Sequence, residues 1–241
     1  VACSSHGGEP AHVAVVDAWL RRLGLGVDAL ECGASAPVHP PSERALVAAG
    51  RPPDARHNTC SGKHCAFLCV CRHLDLDPSG YIRADHPLQR RHVTPALEQL
   101  CGVTLRGETP AVEGCGIPVW RIPLDRLAVG WASLRDRPAG ARLLEAMAAE
   151  PHLVAGTGLH DTRLMTEAGG RLVVKTGAEG VYGAVTDEGV AVALKVRDGA
   201  TRAAEAAVTW MLERLGVIGP QQPVVLRNWA GTEVGTVRVV V

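Results

Sequence analysis

Arg171-Leu172-Val173-Val174-Lys175-Thr176-Gly177-Ala178-Glu179-Gly180-Val181-Tyr182-Gly183-Ala184-Val185-Thr186-Asp187-Glu188-Gly189-Val190-Ala191-Val192-Ala193-Leu194-Lys195-Val196 is the stretch on which the fold turns. Three Val-rich runs with turn residues between them predict strands over 171–176, 180–186 and 189–196. Asp187-Glu188-Gly189 reads as the hairpin turn between the last two. Further on, 200–215 is an Ala-rich helix stopped by Gly216, and 234–241 reads as a final strand. Strands, a helix and a closing strand imply the α/β (α+β) class, with an antiparallel sheet flanked by helices.

Upstream of the strands the pattern is helical. Val13, Val16, Leu20 and Leu23 recur at helical spacing, and Gly24 and Gly26 end the run. A short helix is expected over 42–49 in the Pro-rich region 33–56. Longer ones are expected over 63–73 and 87–100, and another over 142–149. Residues 113–118 read as a tight turn. The whole, 1–241, reads as one domain with a helix-rich part at about 10–150 and a sheet-rich part at about 155–241. Gly156 to Gly158 and Gly169-Gly170 are candidate hinge points between the two parts. Val1-Ala2-Cys3 reads as the end of a buried strand.

Composition excludes several functions. The chain is 46% hydrophobic but only 3% aromatic, so its core must be Val, Leu and Ala. Formal net charge is zero without a long run of one sign, which argues against nucleic-acid binding through a basic face. The longest apolar runs are far too short for a bilayer, and the opening residues, without a basic start or a long apolar run, lead to the expectation of no secretory leader. Cys65, Cys69 and Cys71 crowd one expected helix, which suits small buried hydrophobes better than disulfides. A reducing, cytoplasmic setting is expected.

The chemistry gathers in a few places. The chain keeps lysine only at 63, 175 and 195 among 25 basic residues. Lysine, unlike arginine, can lose its proton when desolvated and act as a base or a ligand. Cys60-Ser61-Gly62-Lys63-His64 packs a thiol, a hydroxyl, an amine and an imidazole around one glycine. Cys115 sits in a second Gly-flanked turn, so two thiolates and a nitrogen donor could hold zinc. Buried cysteines that only pack are the competing reading. Lys175-Thr176-Gly177 on a strand matches the third motif of serine β-lactamases and penicillin-binding proteins, though a strand-end turn with a solvated lysine is the plainer alternative. No serine here has lysine three residues on, so the Ser-x-x-Lys partner of that motif is missing. Ser5 lies beside His6. Gly156-Thr157-Gly158 and Gly177-Ala178-Glu179-Gly180 could bring backbone amides close to an oxyanion, or could be flexible turns.

Together these pieces resemble the thermolabile, Rhizobium-type L-asparaginases of the asparaginase II family. The resemblance rests on Ser5-His6-x-Gly8-Glu9-Pro10, Asn58-x-Cys60-Ser61-Gly62-Lys63-His64, His86-Pro87-x-Gln89 and Gly114-Cys115-Gly116-Ile117-Pro118. It continues through Ala155-Gly156-Thr157-Gly158, Asp161-Thr162, Lys175-x-Gly177-Ala178-Glu179-Gly180-Val181 and Ala193-Leu194-Lys195-Val196. It implies hydrolysis of L-asparagine to L-aspartate and ammonia, and a fold like that of serine β-lactamases and some glutaminases. It further implies catalytic roles for Ser5 and Lys175, and a zinc ion on Cys60, Lys63 and Cys115. Glu113 matches the acidic residue that orients the site, where the family usually has Asp. His6, His64, Gly156, Thr157, Gly177, Ala178 and Glu179 are the implied substrate contacts, and a homodimer the implied assembly. The family's Arg-Ser-x-x-Lys motif lies upstream of the segment matching Ser5-His6. The expectation is therefore a chain lacking its N-terminal part and inactive alone. A β-lactamase-like serine hydrolase and a non-catalytic zinc-binding remnant are the two competing classes.

Overall fold

A computed structural model describes residues 1–240. The helices are α1 (Pro10–Leu23), α2 (Pro40–Ala48), α3 (Ser61–His73), α4 (Thr94–Cys101), α5 (Leu124–Ser133), α6 (Pro138–Ala149), α7 (Pro151–Val154), α8 (His160–Ala168) and α9 (Thr201–Arg214). The strands are β1 (Ala111–Val112), β2 (Pro118–Val119), β3 (Leu172–Gly177), β4 (Val181–Thr186), β5 (Ala191–Lys195), β6 (Val224–Arg227) and β7 (Glu233–Val237). The chain divides into two compact units: Val1–Pro123 with Glu150–Thr162, and Leu124–Ala149 with Arg163–Val241.

In the first unit, α1 starts on Pro10, whose fixed φ suits a first helical position, and ends at Gly24 in the left-handed conformation. His12, Val16, Leu20 and Leu23 form its buried stripe. The facing stripe on α3 is His64, Cys65, Leu68 and Cys71. Val16, Leu20, Leu68, Cys65 and Cys71 share one core with Tyr81, Leu88, Cys60 and Cys115. All eight cysteines are free thiols, and Cys65 and Cys71 are fully buried among apolar neighbours. Burial pushes the Cys65 thiol up to about 12, so it packs as a hydrophobe.

The second unit is built on the strands read from sequence. β3, β4 and β5 form an antiparallel meander, with Lys175 opposite Gly183 and Gly183 opposite Ala193. Helix α5 packs on β4 and β5, α6 on β3, and α9 on β4 and β5. Gly183 is required by this packing: a Cβ there would overlap the Trp131 indole of α5.

Three expectations change. The closing strand does not join the meander; β7 pairs with β6 as a separate two-stranded sheet. Only 233–237 of that segment is extended in a ladder, and Val241 lies outside the described residues. Val1 to Cys3 is not a strand end but a turn, whose Val1 carbonyl accepts from the Ser4 amide and hydroxyl. The helix expected over 87–100 contains a π-helical turn at Gln89–Val93 before α4. Pro95, in the first turn of α4, has no N–H to give to the turn before it, which favours such a slip.

Candidate functional site

Three of the motif segments meet through backbone hydrogen bonds in the first unit. The stretch Ser4–Gly8 runs between two others. On one side Ser5 N donates to Val154 O at 3.0 Å and Gly7 N to Ala155 O at 2.7 Å. On the other, His6 N donates to Thr59 O at 3.0 Å, one residue before Cys60. The Ser5 segment is thereby fixed against both the Ala155-Gly156-Thr157-Gly158 turn and the approach to Cys60. Gly8 has φ +71°, and a Cβ there would lie 2.9 Å from His57 O. Only glycine suits that backbone at that closeness.

Side chains lock the same junction. Glu9 is buried, and its carboxylate accepts the Thr157 amide and the Thr157 hydroxyl, each at 2.7 Å. His152 Nε2 stands 3.4 Å away and His39 Nδ1 3.9 Å away. Burial raises the Glu9 pKa, but the Thr157 hydrogen bonds, with His152 and His39, outweigh it and hold the carboxyl below its ordinary range. His6, His12 and His152 stack in a column, with ring centroids 4.8 and 5.0 Å apart.

The protonation of His6 follows from its partners. Its Nδ1 accepts the Gly8 amide at 3.1 Å, so the proton is on Nε2, which donates to Ser61 Oγ at 2.8 Å. Ser61 in turn donates to the Arg56 carbonyl at 3.0 Å. Burial, then the neighbouring His12, pushes the His6 pKa down to about 3, so the ring is neutral. His6, expected at the substrate, has both nitrogens engaged within the protein and ties Ser5's segment to the start of α3.

A second cluster forms around the expected metal residues. One ligand atom from each of Cys60, Glu113 and Cys115 lies within 4.8 Å of the others. The Glu113 carboxylate also accepts the Cys115 amide at 2.8 Å. A hydrogen bond from the Cys115 thiol and the Lys63 charge favour the Cys60 thiolate and hold its pKa down, against burial; the Cys115 thiol is pushed up. Burial lowers the Lys63 pKa, but Cys60, Cys115 and Glu113 outweigh it, so Lys63 is an ammonium. Two thiols, a carboxylate and an amine within reach fit the donor chemistry of zinc, and Lys63 must shed its proton to be a ligand. Glu9, His12 and His152 also lie within 4.8 Å of one another. They suit a metal less: Thr157 occupies both Glu9 oxygens, and both His12 nitrogens are held, by the Glu9 amide and the His152 carbonyl.

The remaining expected residues lie as follows. Gly156 is buried, with φ +144°, and a Cβ on it would meet Glu9 Oε1. Thr157 is exposed. Lys175 is on β3 in the second unit, with Nζ donating to Thr176 O at 2.6 Å. Gly177, Ala178 and Glu179 are exposed at the turn between β3 and β4, where Glu179 takes φ +57°. That left-handed conformation is uncommon for a residue other than glycine. The sequence shows Glu9 and Ser61 within motifs but gives neither a role of its own, and it does not single out His12, His152 or Tyr81. The signals were thin: Glu9 and His12 have capping-box spacing, and Tyr81 is one of only two tyrosines.

A family model described as L-asparaginase II matches residues 1–240. That places the chain among hydrolases acting on amides. It belongs to the L-asparaginase II family. No curated protein matches it in sequence. No helix among the described residues is long and apolar enough to cross a membrane.

Proposed function

We propose that the chain serves hydrolysis of L-asparagine to L-aspartate and ammonia, with a fold of the serine β-lactamase and glutaminase kind. The observation that carries this reading is the family match over residues 1–240, joined to the backbone ties between the Ser5, Cys60 and Gly156 segments. In this reading Ser5 and Lys175 are the catalytic residues that move the proton to the leaving ammonia. A lysine can do so once desolvation brings its amine within reach of neutral pH. Amides of the Gly177-Ala178-Glu179-Gly180 turn and of Gly156-Thr157 hold the oxyanion and the carbonyl of the substrate. No serine in the sequence has lysine three residues on, so the attacking Ser-x-x-Lys pair of the family has no counterpart among these residues.

Cys60, Cys115 and Lys63 would hold zinc, with Glu113 alongside. A zinc ion there supplies positive charge for anchoring the polar end of the amino acid. His64 contributes a hydrogen bond to the same end. Catalysis takes place in the cytoplasm, in a homodimer.

The test is ammonia release from L-asparagine by the protein that carries this chain, with zinc content measured and Lys175→Ala alongside. Turnover that collapses in Lys175→Ala supports a catalytic role for Lys175; near-normal turnover removes that role. Zinc at unit stoichiometry without ammonia release from the parent would favour a non-catalytic zinc-binding protein instead.

A further inference from the structure

His86-Pro87-Leu88-Gln89 has no part in the chemistry above, yet Gln89 is 2% exposed. Its side-chain amide donates to Tyr81 O at 2.9 Å. Tyr81 is fully buried, and its phenol oxygen receives the Glu31 amide at 3.0 Å. The same oxygen stands 2.6 Å from His64 Nδ1. A phenol has one hydrogen to give. With the Glu31 N–H already donating to the oxygen, that hydrogen goes to His64 Nδ1, its one acceptor among the described residues. An accepting ring nitrogen carries no proton, so the proton of His64 is on Nε2. His64 Nε2 is buried and has no hydrogen-bond partner among the described residues. His64 follows Lys63 in the first turn of α3 and interacts electrostatically with both Lys63 and Glu113.

A buried N–H without an acceptor is rare, and such orphans mark a missing ligand or water. We propose that Tyr81 is a positioning residue that fixes His64 as its Nε2–H tautomer. His64 then brings to the Cys60–Glu113–Cys115 centre a hydrogen-bond donor for a carboxylate or amide oxygen of the substrate, and not a metal-binding lone pair. The role in binding rests on the amidohydrolase reading; the tautomer does not. The motif at 86–89 acquires a function in the same stroke: Gln89 holds the Tyr81 backbone, Tyr81 holds the ring, and the ring aims the donor.

The tautomer is read by nitrogen-15 NMR of histidine-labelled protein, the His64 signals being those lost in His64→Gln. The expected wild-type pattern is a protonated Nε2 and a bare Nδ1; the reverse overturns the proposal whether or not asparagine is hydrolysed. In Tyr81→Phe the phenol is gone and His64 is expected to mix both tautomers. KM for L-asparagine is expected to rise about tenfold, the worth of one hydrogen bond to a charged group, with kcat within about twofold and zinc content unchanged. An unchanged KM removes the substrate contact, and loss of zinc in Tyr81→Phe makes His64 a ligand and overturns the proposal. Should Tyr81→Phe fail to fold, the wild-type spectrum still decides the tautomer.

Discussion

Replacing Glu9 should loosen the junction on which the first unit's motifs depend, and the cost can be worked from its contacts. The carboxylate accepts two short hydrogen bonds from Thr157, one from the backbone and one from the hydroxyl. A hydrogen bond to a charged group contributes about 1.5–3 kcal/mol. Glu9→Gln keeps the volume, and its carbonyl can still accept the Thr157 amide. Its NH2 must then face the hydroxyl, which has to turn its own hydrogen away. One charged bond becomes neutral and the other is reversed, a loss of about 2 kcal/mol. Glu9→Ala leaves the Thr157 amide without its partner and should cost about 3–5 kcal/mol. At about 2–4 °C per kcal/mol for a chain of this length, Glu9→Gln should melt about 4–8 °C lower. There is also a pH signature. The folded pKa of Glu9 is held below its ordinary value. Its contribution is therefore complete above the unfolded glutamate pKa, about 4.3, and is lost as pH falls through the folded pKa. Urea unfolding followed by tryptophan fluorescence, repeated from neutral to acid pH, measures both effects. The wild type should lose its margin over Glu9→Gln as the pH drops. A margin below about 0.5 kcal/mol at neutral pH, or two parallel pH profiles, would refute the reasoning.

Other outcomes follow from single contacts. Lys63→Met should raise the Cys60 pKa, because the ammonium beside that thiol favours the thiolate; thiolate absorbance against pH in metal-free protein measures it, and an unmoved titration rejects the pairing. Gly183→Ala should cost about 1–3 kcal/mol or more, since the new methyl overlaps the Trp131 indole; an unchanged melting temperature would show that α5 moves aside freely. His6→Phe should destabilise the protein more than a buried ring of similar shape would suggest, because Gly8 N and Ser61 Oγ lose their partner. The expected loss is about 2 kcal/mol or more, and a neutral substitution in a denaturation series would argue against the tie.

The meander was legible because it is a local code. Val-rich runs broken by Ala178-Glu179-Gly180 and Asp187-Glu188-Gly189 can hardly form anything else, and β3, β4 and β5 fall within two residues of the expected bounds. The β6–β7 pairing was not legible, since the four residues at 224–227 are too short to declare a strand without their partner. The site divides in the same way. Residue types with intrinsic chemistry, such as Cys60, Lys63, Cys115 and Lys175, announce themselves wherever they stand. Residues that act by reaching a distant partner do not: Glu9 and Thr157 are 148 positions apart, and His6 and Ser61 are 55 apart. What sequence showed as separate motifs are the two ends of these contacts. Ser5, Gly7 and Glu9 bind the 154–157 segment and His6 the 59–61 segment, so Ser4–Pro10 is constrained residue by residue, although chemistry is expected only of Ser5 and His6 within it. This makes the two kinds of substitution separable by experiment. A change at Cys60 or Cys115 should leave the junction intact while altering thiol and metal chemistry. A change at Glu9 or His6 should alter stability first, and chemistry only through the position of Ser5 and Thr157.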